Sequence, residues 1–120
     1  MSLASTTAAR AAFRVQYGHE SYEVIRLMCE GYSKPAIEDI TGVPSLSLDA
    51  YQANLTRGTY DHVLDECNFA PRWSNPARRV VQLLREDKST YEIARTLHMR
   101  RTKVAAYAAN FTRGAYDLMS

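Results

Sequence analysis

A chain of 120 residues with 46% apolar side chains can bury one modest core or two small ones, which argues against global disorder. No apolar run approaches the roughly 18 residues that span a bilayer and no signal peptide is visible, so a membrane partner is not expected and a cytoplasmic protein is (nuclear in a eukaryote). The formal charge of +2 is uneven: residues 1–60 carry five Lys/Arg against six Asp/Glu (−1) and residues 61–120 carry ten against seven (+3), a balance that suits a polyanionic partner of the second half.

Glycine and proline punctuate a pattern of helical spacing, with no sustained alternation that would suggest strands. Residues 5–17 are Ala-rich and predict a short helix closed by Gly18, carrying Phe13 and Tyr17 one turn apart. A stripe over Val24–Met28 predicts the next helix. Ser33-Lys-Pro35 then opens one with Ile37 and Ile40, and a turn at Gly42-Val43-Pro44 leads to another through Leu48, Tyr51 and Leu55 to Gly58. Residues 62–75 read as a connection, with Phe69 and Trp73 repeating the earlier aromatic pair. Asn75-Pro76 suits a helix start, an N-cap followed by Pro at the first helical position. Val80, Val81, Leu83 and Leu84 make its apolar stripe. Ser89-Thr-Tyr-Glu92 has capping-box spacing for a helix with Ile93, Ala94 and Leu97. After a turn at His98-Met99-Arg100 the last helix runs to Arg113, with Gly114 placed as a left-handed cap. Tyr60 and Tyr116, just past the two glycines, are expected to fold back into the core.

This order is a repeat. Tyr51-Gln-Ala-Asn-Leu-Thr-Arg-Gly-Thr-Tyr-Asp61 lies 56 residues before Tyr107-Ala-Ala-Asn-Phe-Thr-Arg-Gly-Ala-Tyr-Asp117, with eight of eleven positions identical. The register holds without a gap from Phe13/Phe69 to Leu64/Ser120, through Val24/Val80, Leu27/Leu83, Ser33/Ser89 and Ile37/Ile93. The expected organisation is all-α: an N-terminal helix plus a first three-helix module at 1–64, a linker at 65–75 and a second module at 76–120. Units this small suit binding better than most catalysis. The cysteines, Cys29 and Cys67, fall at non-equivalent repeat positions, which argues against a disulfide framework and for a reducing compartment. There the Asn-x-Thr sequons at Asn54 and Asn110 have no meaning.

Tyr91-Glu-Ile-Ala-Arg-Thr-Leu-His-Met-Arg-Arg-Thr-Lys-Val-Ala-Ala-Tyr107 resembles the helix-turn-helix of DNA-binding proteins, through Ile93-Ala94, Leu97, Met99, Val104 and Tyr107. The resemblance covers about 45 residues of each half and is similar to the paired, homeodomain-like modules of transposase and paired-type DNA-binding domains. His98 replaces the usual turn glycine. The first copy keeps Gly42 but has Glu38 at the close-crossing position of Ala94 and Thr41 where an apolar residue is expected. The resemblance implies that the last helix of each module is a recognition helix.

At about 100° per residue, Val104, Tyr107 and Phe111 share the core face of that helix, and Thr102, Ala106, Ala109 and Arg113 the opposite one. The first copy presents Leu46, Ala50, Ala53 and Arg57 there. Small residues would let the helix approach a groove floor while Arg reaches a phosphate; equally, Ala is the best helix former and Arg57 or Arg113 could pair with Asp61 or Asp117 at i+4. Arg100, Arg101 and Lys103 stand at the groove-entering start of the second recognition helix, against a helix dipole that an anion would relieve, or form a solvated basic face. The first copy offers Ser45, Leu46 and Ser47 with Asp49 behind. Asn54 and Asn110 could contact adenine or bond the backbone of a neighbouring helix, the second reading being preferred.

His19, His62 and His98 match no metal spacing with the cysteines, and no nucleophile elbow, phosphate loop or carboxylate pair appears, so neither catalysis, metal nor cofactor is expected. The expected function is sequence-specific binding of double-stranded DNA, in transcriptional regulation, on an asymmetric site. The alternative is a helical adaptor that binds protein, through the first module above all, with an incidental basic patch.

Overall fold

The structure is a computed structural model that describes residues 3–120. Among them are eight helices and no strand: α1 (Leu3–Tyr17), α2 (His19–Glu30), α3 (Lys34–Thr41), α4 (Ser45–Thr56), α5 (Asp61–Cys67), α6 (Asn75–Arg85), α7 (Thr90–Leu97) and α8 (Arg101–Thr112). The chain divides into two compact units, one up to Arg72 and one over Trp73–Met119. Helices α2, α3 and α4 begin 56 residues before α6, α7 and α8. No helix among the described residues is long and apolar enough to cross a membrane.

Serine starts three of the helices. Ser33 Oγ accepts the Ala36 N–H (3.3 Å), Ser74 Oγ that of Ala77 (3.3 Å) and Ser89 Oγ that of Glu92 (3.1 Å), each cap worth about 1 kcal/mol. The cap of α6 is therefore Ser74, one residue before the expected Asn75, because the shorter hydroxyl reaches the third amide of the turn while Asn75 and Pro76 enter the helix.

Helices α4 and α8 stop alike. The Gly58 N–H donates to Leu55 O and that of Thr59 to Asn54 O; the Gly114 N–H donates to Phe111 O and that of Ala115 to Asn110 O, at 3.0–3.2 Å, the six-to-one, five-to-two pattern of a glycine-closed helix end. Gly58 (φ 84°) and Gly114 (φ 87°) sit in the left-handed region, and the helices end at Thr56 and Thr112 with the arginines as capping residues. A Cβ at Gly114 would meet Asp117 Oδ2 at 2.9 Å, the movable tip of a side chain, so the cost of a substitution lies mainly in φ. Gly114→Val is expected to destabilise the second unit by at least about 1 kcal/mol, read as a lowered midpoint in thermal unfolding; an unchanged midpoint contradicts the cap.

The cores follow the repeat. Val24, Leu27, Ile37, Val43 and Leu48 cluster in the first unit, and their counterparts Val80, Leu83, Ile93, Met99 and Val104 in the second. Buried Tyr60 and Tyr116 fold back as expected. The non-repeated residues fit locally. Glu38 is exposed where Ala94 is buried, so the crossing in the first unit takes no carboxylate inside. Thr41 Oγ1 donates to Ile37 O (2.7 Å) and accepts the Val43 N–H (3.2 Å), so a polar side chain closes α3 without an orphaned group. His98 takes φ 53°, the left-handed position that Gly42 fills in the other turn.

Two expectations fail. Residues 62–67 of the anticipated connection belong to helix α5, which packs on α1 and buries Cys67 completely. Arg10 clamps this pair, donating from Nε to Cys67 O (3.0 Å) with its guanidinium over the Phe69 ring. The paired aromatics also part company. Trp73 packs on the Ala77, Val81, Tyr116 and Met119 cluster of the second unit and Tyr17 on Tyr60 in the first, but Phe69 lies outside any helix and joins the core of the first unit against Tyr22. Cys29 and Cys67, apart in the repeat, share that core as free thiols. Burial pushes both thiols up, with Arg10 drawing Cys67 partly back, so they hold their protons at neutral pH. Native protein at pH 8 should react with a thiol reagent more slowly than guanidinium-unfolded protein; equal rates would contradict the packing.

Candidate nucleic-acid interface

Helix α8 buries one stripe. Val104 is inaccessible, Tyr107 and Phe111 are half-buried, and Arg101, Thr102, Lys103, Ala105, Ala106, Ala109 and Arg113 are exposed. Arg100 precedes the helix without a side-chain cap bond, and in the first turn the Lys103 N–H donates to Arg100 O (3.1 Å). Arg100, Arg101 and Lys103 are exposed beside them, and among the described residues none has a carboxylate within 4 Å. Cations at the positive end of a helix dipole are unfavourable by a few tenths of a kcal/mol each, a cost that an anion removes. The Arg101 guanidinium lies 5.7 Å from the centre of the Tyr91 ring, which steadies it.

At the far end of α8 the Arg113 Nη2 donates to Asn110 Oδ1 (2.7 Å), and the same bond joins Arg57 to Asn54 on α4. Neither the alternative Arg–Asp pairing nor the preferred backbone role of the asparagines is what forms. The arginines turn back to Asn at i−3 rather than forward to Asp61 or Asp117, whose carboxylates fold over Gly58 and Gly114. The asparagines hold these guanidiniums, not the backbone of a neighbouring helix, and burial pushes the Tyr60 hydroxyl up, with Asn54 drawing it partly back. Each unit thus presents one exposed, oriented arginine past the row of alanines.

One further cation, Arg79, part of the basic excess of the second half in sequence, joins the start of α8 only in the fold. A cleft of about 270 Å³ between α6 and α8 is lined by Asn75, Pro76, Arg79, Leu97, Met99 and Lys103. Arg79 precedes Lys103 by 24 residues, and only the packing of α6 on α8 brings them to one opening; their shared polar exposure was the only signal.

The first unit differs. Ser45 and Leu46 are exposed, Leu46 by 84%, and Ser47 is half-buried. Asp49 is not the bare carboxylate expected, because Lys34 Nζ donates to it from the start of α3. Instead Glu20 enters from α2. It lines a cleft of about 210 Å³ with Ser47, Ala50, Tyr51 and Asn54, accepting the Tyr51 hydroxyl at 2.8 Å. A second cleft of about 330 Å³ holds His19, Glu20, Glu23, Ile40, Thr41 and Val43. It is the 56-residue counterpart of the basic cleft, with Glu23 for Arg79 and Ser47 lost in place of Lys103. Between the units the charge splits further than between halves: six Lys/Arg against nine Asp/Glu up to Arg72 (−3), and nine against four over Trp73–Met119 (+5).

No group of three or more His, Cys, Asp or Glu among the described residues could hold a metal ion. No protein-family model, curated protein or solved structure matches this chain. Function therefore has to be read from the residues themselves.

Proposed function

We propose that the chain is a tandem helix-turn-helix protein that binds double-stranded DNA, with α8 as the principal recognition helix and transcriptional regulation as its role. The observation that carries the reading is the uncapped start of α8 with exposed Arg100, Arg101 and Lys103 and no acidic partner among the described residues. Thr102 and Ala106 face the groove floor, Arg79 and Arg113 reach phosphates on either side, and Asn110 holds Arg113 in position. In the first unit Ser45, Leu46 and Ser47, with Asn54 and Arg57, form a weaker face, because Glu20 and Glu23 repel phosphates. Its contribution is apolar fit, such as Leu46 against a thymine methyl.

Fluorescence anisotropy of labelled duplex DNA against salt tests the reading. About four phosphate contacts give a slope near −3.6 of log affinity on log salt. Absence of binding at low salt contradicts the proposal. Leu46→Ala is expected to change preference at a few base pairs, by roughly 1–3 kcal/mol per lost contact, with the slope nearly intact. Identical binding of wild type and variant to a selected and a random duplex would remove Leu46 from the DNA face and favour a protein partner for the first unit.

A further inference from the structure

The two units carry the same helical turn with opposite chemistry. Glu23 and Asp39 of the first unit stand 56 residues before Arg79 and Arg95 of the second, so two carboxylates answer two guanidiniums at equivalent positions. In the first unit exposed Ile40 (50%) shares a cleft with Glu20 and Glu23 of α2, exposed Asp39 precedes it on α3, and Leu46 (84%) is exposed in the first turn of α4. The α7–α8 face bears exposed Tyr91 (56%) under Arg101, with Arg95 and half-buried Met99 in the same cleft. Three of the five large apolar side chains exposed among the described residues thus fall on these two faces. Isolated apolar residues on a surface need no explanation, but apolar residues among mainly acidic side chains on one unit and mainly basic ones on the other make a complementary pair. Tyr, Met and Arg on the basic side are residue types enriched at interface centres.

We propose that the acidic α3–α4 face of one copy docks on the basic α7–α8 face of a second copy of this chain. Because the two faces differ, the contact is head-to-tail: each copy has one of each, and association continues past the dimer unless a ring closes. Charge chooses the partner. Glu20 keeps one carboxylate oxygen beyond its bond to Tyr51, and Asp39 is exposed, while Arg95 and Arg101 have no carboxylate within 4 Å among the described residues. The basic face includes Arg101, so a second copy and DNA compete for it.

The test is sedimentation velocity of the full chain without nucleic acid, which keeps its outcome separate from that of DNA binding. At 0.01 M salt, weight-average mass should rise with concentration above 13.6 kDa, and it should return to that value at 1 M salt as the screening length falls from about 30 Å to about 3 Å. A monomer at every concentration in low salt overturns the proposal, and this arm needs no variant. Glu20→Lys with Asp39→Lys, and separately Arg95→Glu with Arg101→Glu, should each abolish association, while an equimolar mixture of the two should restore association, with the two variants alternating. Association that survives both reversals, or a mixture of folded variants (checked by circular dichroism) that stays monomeric, overturns it as well.

Discussion

Arg101→Ala combined with Lys103→Ala is expected to weaken binding to every duplex tested and to flatten the salt slope by about 2. Both side chains are exposed at the start of α8, and among the described residues neither meets a carboxylate, so their removal leaves the fold of the second unit nearly untouched. Losing two phosphate contacts lowers affinity without regard to sequence, because phosphates carry no base information. Removing two cations from the positive end of the helix dipole even favours α8 slightly, so the midpoint of thermal unfolding should hold or rise. Anisotropy titrations at three salt concentrations, run with a melting curve, check both halves of this expectation. An unchanged slope would place the phosphates elsewhere. A slope that flattens only on one sequence would mean that the pair reads bases.

Phe13→Ala is expected to have the largest effect on stability, about 3–5 kcal/mol. Phe13 is fully buried, stacks on Tyr60 with ring centres 5.5 Å apart, and meets Tyr17 at 5.2 Å and Tyr22 at 5.9 Å. A loss of that size rivals the whole stability of a unit of about 70 residues, on the order of 4–10 kcal/mol. The second unit has its own core of Val80, Val81, Ile93 and Val104 and contains no part of this aromatic group. Two unfolding transitions are therefore expected in the variant, with the one that follows Tyr60 and Cys67 moved far down in temperature. Salt-dependent DNA binding at 10 °C should retain most of its slope, because its cations lie on α6 and α8. A single transition at an unchanged temperature would contradict the place of Phe13, and complete loss of binding would show that α8 depends on the first unit.

The glycines, the serine caps, the alanine-rich opening and the apolar spacing were sufficient to place seven of the helices from the chain alone, α1–α4 and α6–α8. Those signals are local: a hydroxyl three residues before an amide, a left-handed position that suits Gly, a stripe every third or fourth residue. The repeat then doubled each of them, so that Tyr60 and Tyr116 could be assigned to the core together. Helix α5 was not legible, because its seven residues hold only Val63, Leu64 and Cys67 as apolar positions, and its stability comes from α1, a partner more than forty residues away. The exposed basic start of α8 was written in Arg100-Arg101-Thr102-Lys103 and needed no fold to be seen.

What surrounds α4 and α8, each within its own unit, was decided in three dimensions. Packing of α6 on α8 brought Arg79 to Lys103, and entry of α2 beside α4 set Glu20 among Ser47, Ala50 and Asn54. Rotamers chose Asn54 and Asn110 over Asp61 and Asp117 as partners of the arginines, because the aspartates turn back over their glycines. Lys34 reached Asp49 from another helix across 15 positions of sequence. A chain states the charge of each residue, but the field at a surface is a sum over neighbours from several helices. Only the tertiary structure divides that sum into an acidic face on one unit and a basic face on the other.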